Sequence, residues 1–201
     1  MSLKREASAN LGIHDTGRGA LFSKADEHVI RKLVTKPHFD SFNEMLDRIN
    51  NDQTAYCELI NRALDPLMVT AKKEDIVVTV GMQHMCKLGV GESATIWGYG
   101  ACGTGTGDES VADNQLGTEL ARVALAAGDR FRSGVSMKFG MYFDSTTASG
   151  TITEWAPGNS ATPGSGNGDI LCRTKQTPGL PHVQNSTFFL LTQVVLLSAV
   201  P

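Results

Sequence analysis

From Val135 to Phe143 apolar and mixed residues alternate without a break. Val135, Met137, Phe139, Met141 and Phe143 fall on one side, and Ser136, Lys138, Gly140 and Tyr142 on the other. A period of two fits an extended strand, and one apolar face predicts a half-buried strand of an antiparallel sheet. Residues 188–197 are apolar on both faces, which predicts a central strand covered on both sides. Shorter candidate strands fall at 76–80, 94–99, 120–125, 151–155 and 170–174, and 81–88 reads as one short helix ended by Gly89. Strands at this spacing with turns between them favour an antiparallel β-sandwich over alternating βαβ units.

The composition changes near residue 75. Residues 1–75 hold 23 charged side chains and 3 glycines, whereas residues 76–201 hold 16 charged side chains and 18 glycines. The chain therefore divides into an N-terminal region, 1–75, of charged helices and an arm, and a β-rich domain, 76–201, joined by glycine turns: mainly β, and α+β overall. Residues 1–24, with Gly12, Gly17 and Gly19 among polar neighbours, read as an irregular arm. Phe39, Phe42, Met45 or Leu46, and Ile49 recur at helical spacing, with Ser41 and Glu44 placed as a capping box. Tyr56, Leu59, Ile60 and Ala63 share one face of a second helix that Asp65-Pro66 ends. Phe39, Phe42, Leu46 and Tyr56 are the candidates for contact with partner subunits.

Charge and motif content narrow the function. A net charge of −3 without a basic patch argues against nucleic acid as a partner. The longest apolar run, 187–198, is shorter than the roughly 20 residues a helical span requires, so no membrane role is expected. No apolar stretch follows the charges at the N-terminus, so no signal peptide is expected. Cys57, Cys86, Cys102 and Cys172 are scattered without the close pairs of a zinc site and read as free thiols. Gly98 to Gly103 matches GxGxxG, but more glycines follow where a dinucleotide fold needs a helix. Asp108, Glu109 and Asp113 lack the alternate-residue spacing of a calcium loop, and the five histidines sit in no hydrolase motif. No cofactor, metal or catalytic residue is assigned.

Glu119, Arg122, Glu154 and Arg173 lie inside candidate strands. Charges near a core require partners, so they are candidates for ion pairs tying neighbouring strands. Glu119 and Arg122 differ by three, which on a regular strand turns them to opposite faces and sends each to a partner elsewhere. The competing reading is a carboxylate pair of the glycosidase type. That chemistry also wants aromatic platforms, and aromatic residues make up only 6% of the chain.

Four short signals follow in order: the glycine run from Gly100 to Gly107; Leu116, Glu119 and Arg122; Gly150, Ile152 and Glu154; and Gly168 to Arg173. With the long strand between the second and third, this order resembles the β-rich attachment domain of tailed-bacteriophage tail-collar fibre and head–tail accessory proteins, over residues 76–197. Two departures stand out: Trp155-Ala156-Pro157-Gly158 replaces the family's Glu-x-Gly-Leu pattern, and no fibrous shaft follows the domain. The resemblance implies a non-enzymatic virion structural protein, a decoration or cement protein or an adaptor, assembled in the host cytoplasm. It also implies a homo-oligomer bound to other capsid or tail proteins. The alternative it carries is a tail-collar or fibre-docking protein with a carbohydrate- or receptor-binding role, for which Trp97, Tyr99 and Trp155 are the available aromatics.

Overall fold

A computed structural model describes residues 10–28, 66–92, 94–126, 129–162 and 170–200, and the structural statements below concern those residues. The strands are β1 (Asn10–Ser23), β2 (Met68–Val69), β3 (Lys73–Val77), β4 (Tyr99–Gly103), β5 (Glu119–Ala124), β6 (Arg130–Ser133), β7 (Ser136–Phe143), β8 (Gly150–Gly158), β9 (Cys172–His182) and β10 (Thr187–Val200). One α-helix, α1 (Thr79–Gly89), lies among them. The fold is mainly β and wholly antiparallel. The sheet runs β5-β4-β8-β9-β3-β1-β10-β7-β6, with β2 also paired to β1, and curls into a nearly closed barrel. Its pairing defines one continuous path rather than two separate layers.

The alternation seen in the sequence is carried by β7, where Phe139, Met141 and Phe143 are buried. Val135 does not continue it. It sits with Gly134 in the two-residue turn from β6, and Gly134 has φ 59°, which suits the first central position of a type II′ turn. β10 is central as expected, between β1 and β7, and Phe188, Phe189, Leu190 and Leu191 are fully buried on its two faces. Opposite residues of β7 and β10 pack on the inner face, where the Phe143 and Phe189 rings stack at 4.8 Å. Trp155 on β8 is the largest fully buried side chain of this core.

The N-terminal segment departs from expectation. Residues 10–23, read as an irregular arm, form β1, which pairs along its whole length with β10 from Asn10↔Val200 to Ser23↔Thr187. The glycines that suggested irregularity serve close approach. A Cβ at Gly17 would stand 2.6 Å from the Thr174 hydroxyl, and one at Gly19 would stand 2.8 Å from Leu180. β1, β2 and β3 thus share the sheet with the β-rich region instead of forming a separate N-terminal unit. The two expected helices, with Phe39, Phe42, Leu46 and Tyr56, lie outside the described residues.

The expected strand at 76–80 ends at Val77, because the helix begins at Thr79 rather than Gly81. Gly81 lets the first turn of α1 lie on β9, where a Cβ would collide with the Leu171 carbonyl. The helix ends beyond Gly89 in a Schellman arrangement. Gly91 N–H reaches Leu88 O (3.3 Å), Glu92 N–H reaches Lys87 O (2.9 Å), and Gly91 takes φ 75°. This helix is not long and apolar enough to cross a membrane.

Candidate functional site

Parts of the four sequence signals meet in space on one buried ion pair: Gly105 of the first, Gly117 and Thr118 within the second, Glu154 of the third and Arg173 of the fourth. Glu154 of β8 is 0% exposed, and its carboxylate accepts four hydrogen bonds and makes one further ion-pair contact. Oε1 takes the N–H groups of Gly105 (2.9 Å) and Thr118 (2.7 Å). Oε2 takes the N–H of Gly117 (2.9 Å) and Arg173 Nε (2.9 Å), and pairs with Arg173 Nη2 (2.8 Å). From β9, Arg173 reaches onward to Asp113 Oδ2 (2.8 Å) and to the carbonyls of Asp108 and Gly107 (both 3.2 Å). Burial works against the Arg173 charge, but Asp113 and Glu154 outweigh it and hold the guanidinium above its usual range.

The long connection from β4 to β5 is therefore wrapped around a Glu–Arg pair supplied by two other strands. The glycines of the first signal have a direct reason for being there. A Cβ at Gly105 would run into the Glu154 carboxylate, and one at Gly103 would strike both the Thr118 carbonyl and Glu154. Gly100 to Gly103 is not a loop; it lies within strand β4, and a Cβ at Gly100 would collide with Met141 across the core.

Glu119 and Arg122 behave differently from expectation, because they pair with each other. Arg122 Nε and Nη2 donate to Glu119 Oε1 and Oε2 at 2.8 and 2.7 Å, and Nη1 donates to Ser160 O at 2.7 Å. The cause is a β-bulge. Gly103 pairs with Glu119 and Cys102 with Ala121, so Leu120 is an extra residue. A bulge puts one additional residue into the strand, which turns positions three apart to the same side.

A second ionisable centre lies where β1, β3, β9 and β10 meet, and the sequence reading did not single it out. Asp15 and Asp75 are directly opposed in the β1–β3 register. Asp15 is buried with neither carboxylate oxygen hydrogen-bonded, and Asp75 Oδ1 is likewise without a hydrogen bond. Asp75 Oδ2 meets the Thr174 hydroxyl at 2.7 Å and Gln193 Nε2 at 3.4 Å. Burial is the main cause that pushes Asp15 up to about 6. The Cys172 thiol and Gln193 amide pull it back, although neither closes a well-formed hydrogen bond. Burial also pushes Asp75 up to about 8, opposed mainly by Thr174 and helped by the charges of Asp15 and Glu109. Lys73 stands 3.9 Å from Asp75 Oδ1 but is engaged with Glu109 at 2.6 Å.

These geometries limit the chemistry on offer. With its two oxygens accepting four hydrogen bonds and facing the Arg173 guanidinium, Glu154 is held in place and has little capacity left to take a proton from a substrate. Burial pushes the Cys102 and Cys172 thiols up, away from the thiolate a nucleophile needs. His84 is packed edge-on against Trp97, with its ring nitrogens on Thr95 O and Asn159, and His182 bridges Thr187 Oγ1 and Thr147 O, each at 2.9 Å. Among the described residues no three His, Cys, Asp or Glu side chains converge as metal ligands. Trp155 is 0% and Trp97 6% exposed, so neither presents a platform for a sugar ring.

The surface carries shallow grooves. One of about 430 Å³ lies between Lys72, Lys73, Asp108 and Lys175, and most of its charges are paired, Lys73 with Glu109 and Lys175 with Asp108 (2.7 Å). Another, of about 620 Å³, follows α1 along Met82, Cys86 and Val90. A third, of about 400 Å³, opens where the sheet fails to close, between Trp97 and the β6–β7 hairpin. The chain matches no protein-family model, no curated protein and no solved structure.

Proposed function

We propose that this chain is a non-enzymatic structural protein of a tailed-phage virion, a decoration, cement or adaptor subunit that binds repeated surfaces of the head or tail. The observation that carries the proposal is the convergence of parts of all four resemblance signals on the Glu154–Arg173 pair. Residues spread from Gly105 to Arg173 act there as one lock that fixes the β4–β5 connection. A domain built to dock other subunits needs a rigid frame more than a reactive pocket, and the buried charges are committed to that frame. In this role the barrel is a flattened, sandwich-like attachment module with β4 packed across on β7. Its copies assemble in the host cytoplasm as a homo-oligomer on other virion proteins. The carbohydrate-binding alternative is weaker because both tryptophans are buried.

The proposal is tested by immunogold labelling of purified particles with antibody to the folded domain. Dense label over the head assigns a decoration or cement role, and label at the neck or tail assigns an adaptor. Particles that carry the protein nowhere overturn the proposal.

A further inference from the structure

The open seam of the barrel has a specific composition. β5 pairs only with β4 and β6 only with β7 among the described strands, so the outer edges of β5 and β6 carry no partner there. Beside β6 lies the groove of about 400 Å³, lined by Ile96, Trp97, Met137 and Phe139 together with Arg130, Arg132 and Lys138. The register places Arg130 opposite Phe139 and Arg132 opposite Met137, and directly opposed residues share a face. Since Phe139 is buried in the core, the two arginines lie on the inner face of β6, at the mouth of the seam. Among the described residues Arg130, Arg132 and Lys138 bring cations and no carboxylate lines this groove, in a chain of net charge −3.

We propose that this seam binds an extended acidic segment of a partner protein, added antiparallel to β6 with carboxylates opposite Arg130 and Arg132. The backbone supports it. In a two-residue hairpin the closing pair, here Ser133 and Ser136, is the hydrogen-bonded one. Alternation then turns the N–H and C=O of Arg132 and Arg130 outward, so the same two residues offer both the ladder and the charges. Each guanidinium is only lightly engaged: Arg130 donates to Trp97 O at 3.4 Å and Arg132 to Gly134 O at 2.9 Å, out of five N–H donors apiece. Asp129 lies near enough to feel the Arg130 charge, but its carboxylate accepts the Ala126 N–H at 2.8 Å. Ile96, 53% exposed, and Met137 supply an apolar surface for the flanking side chains. The occupant is thus a Glu-x-Glu strand with apolar residues two positions outside the acids, a case of strand addition steered by charge.

The test uses the purified full chain and the peptide acetyl-Val-Thr-Glu-Thr-Glu-Thr-Val-amide, followed by calorimetry and by hydrogen exchange at the β6 amides. Binding is expected to slow exchange at Arg130 and Arg132. It should weaken at least tenfold when both Glu nitrogens of the peptide are methylated, when Lys replaces Glu, or in Arg132→Glu. Arg132 is exposed, and an unchanged melting temperature shows that the variant folds. No binding, or equal binding by the methylated peptide or by Arg132→Glu, overturns the proposal. Displacement of the peptide by a single-stranded oligonucleotide would reassign the cations to nucleic acid. Protection of the same amides by concentration-dependent dimerisation alone would reassign the edge to a second copy; either outcome overturns it as well. The proposal rests on the docking role above, and the two fail separately: peptide binding is read on the isolated chain, labelling on particles.

Discussion

Replacing Asp75 by Asn tests the buried carboxyl centre directly. A carboxyl raised from 3.8 to about 8 keeps its proton in the folded chain over a range where the unfolded chain has lost it. The folded state then binds more protons than the unfolded state, so stability falls as pH rises, by about 1.4 kcal/mol per pH unit for each such group. The Asp75 contribution is fully present below about pH 4 and declines through pH 8. By pH 7 its accumulated cost is of the order of 4 kcal/mol. Asp15, raised to about 6, adds a smaller loss confined to the range from about 4 to 6. The hydrogen-bond geometry agrees with a proton on Asp75. The Thr174 hydroxyl lies 2.7 Å from Asp75 Oδ2 and 2.6 Å from Gln193 Oε1 and has one hydrogen to give; a protonated Asp75 donates to Thr174, which donates to Gln193. Asparagine keeps the shape and cannot ionise. Urea unfolding of the wild type and Asp75→Asn at intervals from pH 4.5 to 8.5 reads the effect. The two should be similar at pH 4.5, and the variant should be more stable by about 4 kcal/mol at pH 8, its slope shallower by close to one proton. Parallel stability curves across the whole range would refute the reasoning.

Glu154→Gln removes the fully buried one of the two carboxylates paired with Arg173, leaving only the more exposed Asp113, and should cost about 3 kcal/mol in urea unfolding. Pairing it with Arg173→Met should restore part of that loss, since the two act as one unit. Gly105→Ala places a methyl group against the Glu154 carboxylate; a loss of about 1–3 kcal/mol and faster limited proteolysis between Thr104 and Thr118 are expected. Trp155→Ala empties the centre of the core and should lower stability by about 3–5 kcal/mol in the same assay.

The strands that sequence periodicity exposed are those whose two faces differ, or do not differ, in a simple way. β7 alternates and β10 is mostly apolar on both faces, and each lies where its pattern placed it. β1 was hidden because its inner positions carry Asp15, Gly17 and Gly19 in place of large apolar groups. Their fitness depends on Thr174, Leu180 and Leu191, which arrive from β9 and β10. Asp15 and Asp75 carried no local signal for the same reason, since only the β1–β3 register opposes them. The Glu119–Arg122 pair was misread because a bulge changes the counting rule of the strand, and the residue that causes it, Leu120, looks ordinary. The Glu154–Arg173 partnership was foreseeable as a need for partners, but the choice of Gly105, Gly117 and Thr118 as donors belongs to the folded connection.

The β1–β10 zipper has a consequence for synthesis. Its partners are separated by roughly 160 residues or more, so the middle of the sheet is the last part a ribosome can complete. Until β10 emerges, β1 and β7 each present an unpaired edge to solvent, the condition under which nascent β-proteins aggregate or pair with neighbouring chains. Shortening the chain by its last fifteen residues would remove β10 from the middle of the sheet, and translation arrest just upstream of Thr187 should yield a species that needs a chaperone to stay in solution.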